Sequence, residues 1–180
     1  MHVLVYDRTE ASVLRQTWVV GAALYRLRGD FDAVYPVASW AEMFRVLDAY
    51  GPRDIIRLQL WGHGSPAKPL INGAAPPFGE LVDFLRKRMT SDGLVWFRSC
   101  SVAQGREGQQ FVSALAAQTQ VRIAAHTHVI HALQSGLRIA EPGVPPGWSP
   151  SEGEGGERSR LGAPRTVTCL TADVPAGWRG

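Results

Sequence analysis

Cysteine and lysine are scarce in this chain. Two cysteines, Cys100 and Cys169, in 180 residues cannot make a disulfide framework, so the fold has to be held by its core. No run approaches the roughly 18 consecutive apolar residues that cross a bilayer, which excludes a helical membrane span. The first seven residues enter a strand-like run without the basic region, long apolar stretch and small-residue site of a signal peptide, so a cytoplasmic location with free thiols is expected. Lysine occurs only at Lys68 and Lys87, and arginine supplies 17 of the 19 basic residues behind the formal charge of +3. Those arginines are scattered, the densest group being Arg86, Lys87 and Arg88 at a helix end. A nucleic-acid binder would gather them into a patch, so neither a nucleic acid nor a membrane is expected as partner. What the chain does have is apolar residues at 45% against 19% charged. At this length that is enough to bury roughly two-thirds of the unfolded surface.

The order of elements follows from periodicity. Residues 3–6 form a short apolar run ending in Asp7, and Val13, Leu14, Trp18, Ala22 and Tyr25 recur at helical spacing until Gly29. Residues 33–37 read as a second strand. Ser39 opens the next helix with Glu42 three positions on, the spacing of a capping box, and Gly51-Pro52 ends it after about Tyr50. Residues 55–61 alternate as a third strand and run into Gly62-His63-Gly64-Ser65-Pro66. Asn72-Gly73 predicts a small hairpin, residues 77–89 an amphipathic helix and residues 94–97 a buried strand. That strand delivers Arg98-Ser99-Cys100-Ser101 to its carboxyl end, ahead of a helix over 107–119 and a fifth strand over 121–125. Strands alternating with helices imply an α/β fold, a mostly parallel sheet with helices on both faces.

Residues 141–165 differ in kind, with six glycines and five prolines among 25 positions, and read as a loop or linker. The expected organisation is an α/β core over 1–140, this loop, and a C-terminal strand and tail over 166–180, residues 166–173 returning to the sheet edge. There is no internal repeat.

In open α/β sheets the ligand crevice lies outside the carboxyl ends of the strands. His63 follows the third strand and Cys100 the fourth; parallel neighbours about 4.8 Å apart would bring both to one rim. Together they can supply a thiolate nucleophile and a proton donor for the leaving group. The amides of Gly64 and Cys100 could face a developing oxyanion, while Arg98 and the start of the helix after Gly105 would favour the thiolate. The plainer reading is a cysteine that is a small buried hydrophobe and a hydrogen-bonded histidine. His126, His128 and His131 alternate along a strand end, as metal ligands can, but no carboxylate or cysteine lies close by in sequence to complete a site, and lining a cleft explains them equally well.

Residues 58–66, Leu-Gln-Leu-Trp-Gly-His-Gly-Ser-Pro, and 94–100, Leu-Val-Trp-Phe-Arg-Ser-Cys, resemble the His-Gly and Cys blocks of the caspase-like cysteine peptidases. The His-Gly-Ser-Pro turn, Cys100-Ser101-Val102-Ala103-Gln104-Gly105 with Gly108 and Phe111-Val112, and Ile123-Ala124-Ala125-His126-Thr127 are similar to a bacterial caspase-like domain family catalogued without a function. The resemblance covers about residues 1–140. The caspase signature Gln-Ala-Cys-x-Gly is absent. What the resemblance implies is a three-layer caspase-like sandwich and a cysteine endopeptidase in which Cys100 attacks a peptide carbonyl, His63 delivers the proton and backbone amides hold the oxyanion, with no metal or cofactor. It also implies a first specificity pocket at Asp7, Arg8, Arg98 and residues 126–131, including His126 and His128. Two arginines there would suit an acidic substrate residue, whereas Asp7 could accept a basic one or pair with Arg98. Because the first strand begins near Val3, recruitment or activation by a partner protein is expected through the surface or the proline-rich loop. The competing readings are an inert recognition or scaffolding module of the same fold and, third, a thiol acyltransferase or esterase.

Overall fold

The computed structural model describes residues 1–50, 52 and 54–178, with the side chain of Leu14 outside that description. Gly51, half of the expected helix break, also lies outside it. Its elements are β1 (His2–Asp7), α1 (Val13–Leu27), β2 (Ala33–Val37), α2 (Trp40–Leu47), β3 (Ile55–Trp61), β4 (His63–Ser65), β5 (Lys68–Leu70), α3 (Phe78–Arg88), β6 (Met89–Arg98), α4 (Gly105–Thr119), β7 (Arg122–His126), β8 (Leu133–Gln134), β9 (Leu137–Ala140) and β10 (Val167–Thr168).

Six strands form the central sheet in the order β2-β1-β3-β6-β7-β9, all neighbours parallel except the β7–β9 pair. The chain moves from β1 outward to β2, then crosses back to β3 on the other side of β1, so the order reverses between β1 and β3. The crevice that such a reversal opens lies at the carboxyl ends of these two strands.

Register decides which side chains share a face. Val3, Leu58, Val95 and Ile123 form one row across the sheet and Leu60, Phe97 and Ala125 another, and both pack into the main core with Met43 and Leu47 of α2, Leu81 and Leu85 of α3, and Val112 and Leu115 of α4. The opposite face is covered by α1, through Ala22 and Tyr25 against Leu4 and Trp61, and by the C-terminal tail, through Val167, Val174 and Trp178 against Leu94 and Trp96. Helices therefore cover both faces unequally, three on one and one on the other. Between the two apolar patches of that second face runs a polar stripe, Arg57, Gln59 and Arg98, all buried.

Local signals fall where expected. Ser39 caps α2 by accepting from the Glu42 amide at 3.1 Å, while the Glu42 carboxylate reaches back to the amide of Ala38 rather than that of Ser39. Asn72 and Gly73 both take positive φ between bridged Ile71 and Ala74, the two-residue hairpin that Asn-Gly encodes. The tail departs from expectation: among its described residues only Val167–Thr168 is strand, pairing antiparallel with β8 in a separate ribbon, and the segment beyond lies across the sheet rather than along its edge. The glycine- and proline-rich stretch is docked, not loose. Trp148 joins the main core, and Glu152 pairs with Arg138, accepts from Thr127 at 2.9 Å and offers its carbonyl to Gly105.

Candidate active site

β3 and β6 are neighbours, with Trp61 opposite Arg98. His63 and Cys100 each lie two residues beyond that pair, so the parallel register carries both out of the sheet at the same level. Gly64 seals the approach: a Cβ there would come 2.5 Å from the Cys100 carbonyl oxygen and 2.9 Å from both Ser99 Cβ and Val102 Cγ2. Gly62 likewise has no room for a side chain, since one would collide with the Leu70 carbonyl. The two glycines thus allow backbones to touch, which is a stronger reason for them than exposure of the chain to substrate.

Further bonds tie the same loops. The Ala67 amide donates to the Val102 carbonyl at 3.1 Å, and the Ser101 and Ala103 amides donate to the carbonyls of His128 and His126 at 3.0 and 2.9 Å. Ser101 itself takes φ +59, a left-handed conformation uncommon outside glycine, directly after the cysteine. In the hairpin β4–β5 Gly64 lies opposite Pro69. Proline has no N–H to exchange, so this pair cannot be the bonded kind, and the Gly64 amide turns out of the ladder.

His63 is held from the side of the reversal. Its Nε2 bonds the carboxylate of Glu10, in the loop after β1, and the edge of Trp18 on α1 meets its ring at 5.7 Å and 66°. The hydrogen bond from His63, aided by Ser12, holds the Glu10 carboxyl down at about 2. An ionised carboxylate only accepts, so Nε2 carries the proton and Nδ1 is the ring nitrogen left to act as base. Cys100 is half-buried, its Sγ 3.8 Å from the Ile130 carbonyl oxygen. Burial pushes its thiol above the ordinary value, opposed by backbone groups of Ile130 and Cys100.

The remaining expected site residues are engaged within the protein. Asp7 is buried, its carboxylate accepting from the Thr9 amide and hydroxyl at 2.8 and 2.7 Å and from the Asn72 amide at 2.7 Å. It does not pair with Arg98. Arg8 pairs with Glu42 at 3.3 Å. Arg98 is 4% exposed, donates to Gln134, Tyr25, Gln59 and two tail carbonyls, and lies 4.5 Å from the Trp96 ring centroid. It is thus on the second face of the sheet and not beside the thiol it was expected to activate. His126 is fully buried, with Nδ1 bonded to the Ser135 carbonyl at 3.0 Å and Nε2 accepting from Trp96 Nε1 at 3.3 Å; burial, helped by the charge of Arg98 and opposed by the Ser135 carbonyl, drives it down to about 3. His128 bonds Thr127 and the Glu157 carboxylate. Among the described residues no group of three or more His, Cys, Asp or Glu is arranged to hold a metal ion. Sequence reasoning missed Glu10 and Trp18. The signal available was a carboxylate at the carboxyl end of β1, next to the strand-order reversal.

Residues 10–136 match the model of a family described only as a domain of unknown function, DUF4347. The chain belongs to this family. The match begins at Glu10 and takes in His63, Cys100, His126 and His128, while β9 and the tail lie beyond it. No curated protein and no solved structure gives a match to the chain. Among the described residues no helix of this DUF4347 domain is long and apolar enough to cross a membrane.

Proposed function

We propose that the chain is a cysteine endopeptidase of caspase-like fold, with Cys100 as nucleophile, His63 as general base and acid, and the amides of Gly64 and Cys100 as oxyanion donors. The observation that carries this reading is the convergence of the two loops: His63 and Cys100 leave adjacent parallel strands at one level, and Gly64 packs on the Cys100 carbonyl. Cys100 Sγ would bond to the substrate carbonyl carbon as its proton passes to His63 Nδ1. The same proton would then leave with the amine as the peptide bond breaks, and water would hydrolyse the thioester. Glu10 fixes the tautomer and stabilises the imidazolium that forms between these steps. A thiol raised by burial is a poor resting nucleophile, so deprotonation falls to His63 once substrate is bound. An acidic preference in the substrate draws no support from Arg98, whose donors are taken within the protein, while Arg8 is paired with Glu42 through one nitrogen.

One observation favours an inert recognition module instead: the thiol is half-buried and contacts the Ile130 carbonyl. Labelling with a peptide-like electrophile separates the two readings. The enzyme reading expects Cys100 to be modified far faster than Cys169, with the rate collapsing in His63→Ala and the label absent in Cys100→Ala. Equal, slow labelling of both thiols that is indifferent to His63 would leave the scaffold reading standing.

A further inference from the structure

The tail from Thr168 to Asp173 is bound to the body almost entirely by its backbone. Five successive carbonyls accept from body side chains: Thr168 from Arg98 at 3.0 Å, Cys169 from Tyr25 Oη at 2.6 Å, Leu170 from Arg28 at 3.3 Å, Thr171 from Arg98 at 3.0 Å, and Ala172 from Arg57 and Gln59 at 3.2 and 2.5 Å. The Asp173 carboxylate then meets Arg57 at 2.7 Å. Its side chains contribute little: Leu170 is 54% exposed, and none of residues 168–173 is buried. A strand that belonged to the core would bury alternate side chains. This segment instead turns between Thr168 and Thr171, whose amide donates back to the Thr168 carbonyl at 3.0 Å, and it offers carbonyls and an acidic group, as a peptide ligand does in a groove that reads main chain.

The groove itself bears the mark of a ligand site. Arg98 and Arg57 are buried cations on one sheet face, and among the described residues Arg98 has no carboxylate partner, only neutral acceptors and the faces of Tyr25, Trp61 and Trp96. Burying a cation is costly unless acceptors satisfy it, and here the tail supplies two of them. The five donor side chains fall within the family-matched residues 10–136, the bound tail falls outside them, and the glycine- and proline-rich stretch leads into it.

From this juxtaposition we infer that Arg57, Gln59 and Arg98, with Tyr25 and Arg28, form a peptide-binding groove on the second face of the sheet, filled in cis by residues 168–173 and able to take an acid-bearing peptide with the same turn from another chain. The inference does not depend on Cys100 being a nucleophile. Its test is exchange. A site for a sequence-specific protease is inserted after the exposed Leu161, the chain is cut in its folded state, and a fluorescent synthetic peptide of residues 166–178, with Ser at the Cys169 position, is added. The labelled peptide should enter saturably under native conditions, be displaced by unlabelled peptide, tolerate Leu170→Ser, and weaken about threefold on Asp173→Asn, the scale of a half-exposed ion pair. In the uncut chain the Cys169 amide, bonded to the Ala132 carbonyl at 2.8 Å, should exchange hydrogen through a local opening, at least ~100-fold faster than amides of β3 and β6. A cut tail that leaves only when the sheet unfolds, or a Cys169 amide as protected as the central strands, would overturn the groove and leave the tail as a structural element.

Discussion

Acid should loosen the cysteine loop through His126. In the folded chain this imidazole is neutral by construction: Nδ1–H donates to the Ser135 carbonyl and Nε2 accepts from the Trp96 indole. A second proton would set Nε2–H against the indole N–H, in a buried site that also feels Arg98. The folded value is about 3 against an ordinary 6.5, so the group is depressed. A depressed histidine adds stability that is present above the unfolded value and lost as pH falls from 6.5 toward 3, because the unfolded chain takes up the proton first. Between about pH 7.5 and about pH 5 that linkage removes about 2 kcal/mol. This window lies above the range in which Glu10, held at about 2, would begin to protonate in the folded state. Urea unfolding at the two pH values measures the difference directly. His2 is also lowered, by burial and then by Arg57, and acts in the same direction, so His2→Gln is run alongside. His126→Asn keeps a donor for Ser135 but leaves the Trp96 N–H unpaired, which should cost about 1–3 kcal/mol at neutral pH while flattening the slope. If His126→Asn retains the wild-type slope and His2→Gln abolishes it, the assignment to His126 is wrong. The effect bears on the site because the His126 and His128 carbonyls anchor the Ala103 and Ser101 amides on the turn that carries Cys100.

Gly64→Ala should both destabilise the fold, by about 1–3 kcal/mol as overpacking does, and abolish any Cys100-dependent activity, since the new methyl faces backbone at 2.5 Å; thermal unfolding and electrophile labelling would report the two losses. Glu10→Gln should leave the folded spectrum intact yet slow Cys100 labelling and shift its pH profile, because an amide can present either a donor or an acceptor to His63 Nε2 and no longer stabilises an imidazolium; an unchanged profile would remove Glu10 from the site. Asp7→Asn replaces a carboxylate that accepts from three donors with a group carrying its own N–H, and should lower stability by about 1–3 kcal/mol, measured by chemical denaturation. A neutral effect would mean that the β1 and β5 loops do not depend on this clip.

How much of the molecule could be read in one dimension is clearest at β3. The alternation of Ile55–Trp61 marks a strand, and the apolar residues Leu58 and Leu60 face the helices as alternation requires. The same pattern suggests that Arg57 and Gln59 meet water, yet both are buried beneath the tail. Periodicity reports which side chains share a face, not what covers that face. Local chemistry was similarly legible at the Ser39 cap and the Asn72-Gly73 turn, because their interactions span three or four residues. β9, absent from the sequence reading, is a four-residue strand made by pairing with β7.

For the site, residue types and strand ends in the sequence determined that His63 and Cys100 follow successive parallel strands of an α/β sheet. Which other groups join them was decided in three dimensions. Glu10 lies 53 positions from His63, and the order reversal between β1 and β3 is what brings its loop within hydrogen-bonding distance. Arg98, two residues before the cysteine, looks like a pocket residue in sequence; strand pleating instead turns it to the opposite face, where Thr168 and Thr171, about 70 positions on, complete its shell. Hydrogen bonds over such separations are set by strand order and by the path of the tail, neither of which local spacing encodes.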